Sequence, residues 1–255
     1  MKIAVITDVH GNLQALESII NDIKLNNVDK IICLGDIIGW GPNSKECIDL
    51  VINNNIDMAL GNHELYCLKG TNIDKDITFD EKKHHEWIKN SLTNKEIEFL
   101  QKCPLYYECN IEYENDIKPK KIIFCHYLLN DIKNDFPFEK NHLKDDINLW
   151  IKYNDENIFY VIGHLHKSFN ENEVVGISGD YIEKIGALTN INIVDSAGCT
   201  KDNNTSYLLI QIEKSIKFKK IKIKYDRIKF EENLKNENYP GKNIASKTFF
   251  AINDK

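Results

Sequence analysis

The first sixty residues alternate between two kinds of hydrophobic pattern. Short apolar runs, "KIAVIT" (2–7), "KIICL" (30–34) and "IDMAL" (56–60), are separated by stretches whose apolar residues recur every three or four positions. The runs read as strands buried on both faces, as do "KIIFC" (121–125) and "IFYVI" (158–162) further on. Asn12 is placed to cap a helix to about Leu25, with Leu13, Leu16, Ile19, Ile20 and Ile23 on one face. Asn43 or Ser44 opens a second helix through Ile52. Strand, helix, strand, helix, strand predicts an α/β fold with parallel pairing and right-handed crossovers.

After residue 64 the pattern changes. "EKKHHEWIKNSL" and "TNKEIEFLQKC" are helical with polar faces and end at Pro104. Residues 64–104 are therefore expected to be a helical insertion beside the first sheet, within one domain spanning 1–255. "LYYECNIE" (105–112) reads as a strand, and the last third is richer in β patterns: "KIGALTNINIVDS", "YLLIQIE" and "SIKFKKIKIKY". In the last, Ile216 and Phe218 share one parity while Ile221, Ile223 and Tyr225 share the other, which predicts a β-bulge at Lys219–Lys220. A helix is predicted over 228–236, ended by Pro240 and Gly241, with a short last helix in "ASKTFFAI". The lysines of 214–224 fit the wet face of an edge strand.

Every buried run ends in a polar cluster. "VIT" runs into Asp8 and His10, "ICLG" into Asp36, "MALG" into Asn62, His63 and Glu64, "IIFC" into His126, and "YVIG" into His164 and His166. Ligands of α/β sheets bind beyond the carboxyl ends of strands. Residues i and i+2 of an extended segment face the same way, so Asp8 with His10, and His164 with His166, are expected to address one ion together. Asp8, His10, Asp36, Asn62, His126, His164 and His166 are seven donors, too many for one tetrahedral site and suited to two ions sharing a carboxylate. Oxygen and imidazole donors suit Mn, Fe, Zn or Ni better than Mg or Ca. Any one of these motifs alone is an ordinary turn or helix start; their succession, each after an apolar strand, is what points to a metal site.

Composition narrows the picture. The 255 residues are 42% hydrophobic and 28% charged, enough for a substantial core. A net charge of -6 gives no basic footprint for a nucleic-acid polymer. Met1 leads straight into a strand-like run and the longest apolar runs fall short of a membrane span, so the expectation is a cytoplasmic protein with no membrane partner. Seven cysteines without C-x-x-C spacing read as buried thiols. His84, His85 and His142 read as solvated histidines. Trp40 is either a packing residue or a platform for an aromatic leaving group.

The series "DVHGN", "GDIIGWGP", "GNHE", "FCHY" and "GHLH" resembles the calcineurin-like metallophosphoesterase superfamily, in particular its bacterial and archaeal branch with a GDxxGxGP loop. The resemblance implies a four-layer α-β-β-α sandwich of two mixed β-sheets flanked by helices, with two metal ions at one rim. It implies that Asp8, His10 and His166 hold the first ion, that Asn62, His126 and His164 hold the second, and that Asp36 bridges them. Mn is the first expectation, with Fe, Zn or Ni as alternatives. His63 resembles the family's non-ligand histidine, which protonates the leaving oxygen or steadies the transition state. Gly11, Asn12 and Trp40 are candidate substrate contacts, the first two because a helix start can aim N–H groups at phosphate. The implied activity is hydrolysis of phosphomonoesters or phosphodiesters of a small or nucleotide-like substrate by a metal-bridging hydroxide. A phosphoprotein phosphatase, a dinucleoside polyphosphate hydrolase and a non-catalytic metal-binding scaffold are the alternatives. Gly39 stands where the Ser/Thr protein phosphatases carry Asp before Arg-Gly, Tyr127 stands where this branch commonly has Gly, and "DSAGC" (195–199) replaces the usual Asn-Pro-Gly-Ser turn.

Overall fold

A computed structural model describes residues 1–73, 77–112, 120–127, 157–166 and 190–252. Two mixed β-sheets lie face to face, flanked by helices. The first holds β1 (Lys2–Ile6), β2 (Lys30–Cys33), β3 (Asp57–Met58), β8 (Asn204–Ile212) and β9 (Ile216–Lys224) in the order β3-β2-β1-β8-β9. The second holds β4 (Tyr106–Ile111), β5 (Lys120–Cys125), β6 (Ile158–Ile162) and β7 (Ile191–Ile193) in the order β4-β5-β6-β7. β1, β2 and β3 run parallel, as do β5, β6 and β7, while β8, β9 and β4 pair antiparallel. The five sequence-predicted strands are therefore shared between two sheets, and their carboxyl ends meet at one rim.

Alternate residues of each strand serve two cores. Ile3, Val5, Ile32 and Leu34 of the first sheet meet Ile122, Phe124, Val161 and Val194 of the second. Ala4, Ile6 and Cys33 face the other way, onto helices. α1 (Leu13–Leu25) covers that outer face with Leu16, Ile19, Ile20 and Ile23, and α2 (Ser44–Asn53) with Cys47, Ile48 and Val51. Asn12 caps α1 by accepting the Ala15 N–H at 3.1 Å. α3 (Asn62–Lys69), α4 (Phe79–Ser91) and α5 (Asn94–Lys102) occupy the stretch expected to be a helical insertion. They drive Cys67, Ile88 and Leu100 into the same core as α1 and α2. α6 (Arg227–Asn236) follows β9, and a short helix, Lys242–Ile244, passes into a π-helical turn at Ala245–Phe249. Among the described residues no helix is long and apolar enough to cross a membrane.

The bulge expected at Lys219–Lys220 is absent. β9 pairs with β8 without interruption from Lys224 opposite Asn204 to Ile216 opposite Ile212. The slip in alternation has another cause. Ile216 and Phe218 pack into the inter-sheet core, whereas Ile221 and Ile223 point to the opposite face and pack against the helix-side core. One regular edge strand thus serves both cores, each with half its length. Lys220, on the inter-sheet parity, pairs with Asp195.

This reading predicts the effect of deleting Lys219. A bulged strand would become regular and keep its packing. The regular strand instead turns Ile221 and Ile223 to the wrong face, and urea denaturation should show a loss of about 2–3 kcal/mol. Unchanged stability would restore the bulge.

Candidate metal centre

The rim gathers every residue that the motifs singled out as a donor. Asp8 and His10 follow β1, Asp36 follows β2, Asn62 opens α3, His126 follows β5, and His164 and His166 follow β6. Five of the seven arrive by strained backbone, not by extended alternation. Asp8, His10, Asp36, His164 and His166 all have positive φ, between 47° and 65°. Non-glycine residues in this left-handed region cost about 1–3 kcal/mol each, and such strain persists only where surrounding structure enforces it. Left-handed turns bring Asp8 and His10 into one group, whereas His164 and His166, expected to address one ion together, turn to different groups.

The donor atoms fall into two groups. Asp8 Oδ1 lies 3.6 Å from His10 Nε2 and 3.2 Å from His166 Nε2, and the two imidazole nitrogens are 3.0 Å apart. His126 Nε2 lies 3.2 Å from Asn62 Oδ1 and 3.2 Å from His164 Nδ1. Asp36 Oδ2 stands between the groups, 3.8 Å from His10 Nε2 and 3.1 Å from His126 Nε2. Donors about 2.0–2.2 Å from an ion stand about 3.0–3.6 Å from one another across a coordination edge. The spacing and the donor chemistry therefore fit divalent ions. Buried Asp8 Oδ1 has no hydrogen-bond partner among the described residues, as a ligand oxygen requires.

Each carboxylate divides its oxygens between scaffold and site. Asp8 Oδ2 accepts from Thr7 Oγ1 at 2.6 Å and from the His164 N–H at 2.9 Å, leaving Oδ1 to face the imidazoles. Asp36 Oδ1 accepts the His63 N–H at 2.9 Å, leaving Oδ2 in the centre. The loop bearing Asp36 is held from behind by Glu64, which is fully buried. Glu64 Oε2 accepts the Asp36 and Gly61 N–H groups, both at 2.8 Å, and Oε1 accepts those of Ile37 and Ile38 at 2.9 and 3.2 Å. Gly39 is required in the same loop: with φ at 143°, a Cβ there would collide with the His10 ring.

The electrostatics follow from burying opposite charges together. Burial opposes ionisation of Asp8, yet His126 and His166, with the imidazole of His10 close by, hold its carboxyl well below the usual range. Asp36 is held low in the same way, with His126 and His63 overcoming burial. Burial disfavours His126 as a cation, but Asp36 and Asp8 raise it to about 9. Burial and His126 lower His164 to about 4. His63 is driven well below its ordinary value, first by burial and then by His10, His85 and His84, against Asp36. Burial and nearby Asp36 push Glu64 up to about 7, although its four N–H donors favour the ionised form.

Several expectations about the surroundings are corrected. Trp40 has no free face for a nucleobase: His84 stacks on it with centroids 5.3 Å apart, and Phe249 at 4.4 Å. Gly11 and Asn12 do not aim N–H groups at a phosphate. The Gly11 N–H donates to the Ile37 carbonyl and that of Asn12 to the Val9 carbonyl. The Asn12 side chain is taken up by the α1 cap and by the Gly198 carbonyl. His84 and His85 are not solvated. Both are buried, His84 with its ring nitrogens 2.8 Å from the Pro240 carbonyl oxygen and 2.9 Å from that of Gly39. His85 lies against His63 and Tyr66. The polar sequence of α4 hid this, because the apolar partner is the aromatic tail of the chain. His142 lies outside the described residues.

Three residues beside the site were missed. Glu64, which the sequence offers either as an orienter of His63 or as a first-turn helix acid, is the clamp of the Asp36 loop. Phe249 lies 6.4 Å from the His10 ring and 6.1 Å from that of His166. Cys199 was read with the other thiols as structural. Its sulfur and donor atoms of His10 and His166 all lie within 4.8 Å of one another. Of the cysteines, Cys33, Cys47, Cys67 and Cys125 are buried, whereas Cys103, Cys109 and Cys199 are partly exposed.

Two stacked mixed sheets with buried Asp, Asn and His donors converging at one rim define a metallophosphoesterase architecture. The chain belongs to the calcineurin-like phosphoesterase family, whose model matches residues 1–196. A curated relative, uncharacterized protein MJ0912 of Methanocaldococcus jannaschii, is 40% identical over 124 residues, which cover 49% of this chain and 48% of that protein. The chain thus spans about half the length of the curated relative it matches. Among solved structures, hypothetical protein PH1004 from Pyrococcus horikoshii superimposes with a TM-score of 0.68 at 17% identity, covering 98% of this chain and 97% of that one. A metallophosphoesterase from Sphaerobacter thermophilus gives 0.60 at 20% identity, covering 92% and 93%. At these identities the structural likeness establishes the fold.

Two outcomes follow from the buried groups. Glu64→Gln sets an amide NH2 against two of the four N–H donors, and urea denaturation should show a loss of about 2–4 kcal/mol. A loss below about 0.5 kcal/mol would remove the clamp. Burial lowers His85 to about 3. Its unfolded form takes up a proton below about 6.5, so stability is full above that pH and falls as pH drops toward 3. In metal-free protein, His85→Leu should flatten the stability–pH slope between pH 6 and 4.5 by up to about 1.4 kcal/mol per unit. Equal slopes in both proteins would contradict the buried neutral state.

Proposed function

We propose that this protein is a dinuclear metal-dependent phosphoesterase acting on phosphomonoester or phosphodiester bonds of a small or nucleotide-like substrate. The observation that carries this reading is the division of donors around Asp36, with Asp8, His10 and His166 on one side and Asn62, His126 and His164 on the other. In this reading the first set would hold one divalent transition-metal ion and the second set another, with Asp36 as the carboxylate that would be shared between them. When bound, two such ions acidify a coordinated water and neutralise charge on the phosphate oxygens.

The chain's own residues supply the rest. Asp36 is kept in bridging orientation by the His63 N–H on Oδ1 and by Glu64 behind the loop. His63 Nε2 lies 4.0 Å from Asp36 Oδ2, at the edge of the donor cluster. Burial keeps its imidazole neutral, so it serves as an N–H donor to the leaving oxygen, not as a standing cation. Tyr127 backs the second set, its ring packed edge-on against His126 and His164. Phe249 takes the place once given to Trp40: its half-buried ring, backed by Trp40, forms an apolar wall near His10 and His166, which supports an organic leaving group.

A panel of aryl phosphate monoesters and diesters, assayed with several metals, tests the reading. Turnover should depend on added metal and vanish with chelator. His63→Ala should retain its metal while kcat falls about 10²–10³-fold. Folded, metal-replete protein that cleaves neither ester class would contradict the activity, and unchanged kcat in the variant would remove His63 from it.

A further inference from the structure

The seven donors of the proposed dimetal site do not exhaust the ligating groups at the rim. The Cys199 sulfur shares the neighbourhood of His10 and His166, with all three donor atoms within 4.8 Å of one another. The same two imidazoles face Asp8 Oδ1, a buried oxygen with no hydrogen-bond partner among the described residues. Four groups of ligand chemistry, one carboxylate oxygen, two imidazole nitrogens and one sulfur, therefore converge on one side of Asp36. Among the described residues no sulfur stands with Asn62, His126 and His164 in the corresponding cluster on the other side.

The backbone makes this placement rigid. The turn at 195–199 is laced to the end of β1: the Ala197 N–H donates to the Thr7 carbonyl at 2.9 Å and the Gly198 N–H to the Asp8 carbonyl at 3.0 Å. Ser196 Oγ donates to the Asp8 carbonyl at 2.7 Å and accepts the Cys199 N–H at 2.9 Å. Gly198 lies so close to Val9 that a Cβ would overlap its carbonyl oxygen. The strand end that delivers Asp8 and His10 thus also fixes Cys199. The thiol is only partly buried, unlike Cys33, Cys47, Cys67 and Cys125, which are enclosed. The residue packs against the cluster of Trp40, Tyr225 and Phe250, while its sulfur also stands within reach of the two imidazoles.

We propose that Cys199 is a sulfur donor to the ion held by Asp8, His10 and His166, so that the two metal positions are chemically unequal. Thiolate with imidazole strengthens the preference for Zn, Fe(II) or Co(II) over Mn, whereas the oxygen and nitrogen set on the other side prefers them less strongly. The protein would then bind a softer ion beside Cys199 and accept Mn beside Asn62. This inference rests on the dimetal reading and extends it.

Cobalt loading tests it without an activity assay. Metal-free protein is titrated with Co(II), metal content is measured, and near-ultraviolet absorption is recorded for wild type and Cys199→Ser. Wild type should bind two cobalt ions per chain and show a thiolate-to-cobalt charge-transfer band that the variant lacks. In parallel, iodoacetamide labelling is read peptide by peptide. Metal should slow alkylation of Cys199 about tenfold or more, because the bound thiolate is no longer a free nucleophile, while the partly exposed Cys109 is unchanged. Circular dichroism of the variant checks that it is folded. Two ions per chain with no charge-transfer band overturn the ligation and leave the dimetal reading standing, even if Cys199 is shielded from label. No metal uptake at all overturns the dimetal reading and this inference with it.

Discussion

Two carboxylates, Asp8 and Asp36, are almost wholly removed from water at one rim of the molecule. Charge in such a place is tolerated only when it is paired and hydrogen-bonded. Each carboxylate meets the requirement by splitting its oxygens, one tied to backbone or hydroxyl donors and the other turned to imidazoles. The scaffold side fixes position; the imidazole side sets protonation. A divalent cation meets the same requirement more strongly, since neutral imidazoles and ionised carboxylates are then both ligands. The rim is organised around that compensation, and the positive φ of Asp8, His10, Asp36, His164 and His166 shows how firmly the fold enforces it.

Two further devices hold the rim together. Glu64 gathers four N–H groups from two loops, so the turn after β2 and the start of α3 move as one. The chain's last segment adds a second tie. Tyr239 Oη donates to the Trp40 carbonyl at 2.6 Å, and His84 joins the Pro240 and Gly39 carbonyls. Through these contacts the tail sets Phe249 against Trp40 beside the donor cluster. A residue far along the sequence thereby walls a site built by the first strand.

The strands and early helices were legible because their apolar periodicity reports burial directly. α1 begins after the cap residue Asn12, and β6 coincides with its apolar run, Ile158–Ile162. The donor residues were legible because each follows such a strand. What stayed hidden depends on contacts between distant segments. The α4 histidines sit in a polar sequence, and nothing local signals that Trp40 and the residues around Pro240 cover them. β9 broke its alternation, which a bulge explains as well as a strand serving two cores; only the register with β8 separates the two. Cys199 looked like any of seven cysteines until the turn at 195–199 was seen laced to Asp8.

The central claim is that seven donors from five strand ends form one dinuclear centre bridged by Asp36. Its most direct test is anomalous diffraction from crystals of the metal-loaded protein, recorded at the absorption edge of the bound metal. The account predicts two anomalous peaks flanking Asp36 Oδ2, one against Asp8, His10 and His166 and the other against Asn62, His126 and His164. A single peak, or peaks that Asp36 does not bridge, would contradict it.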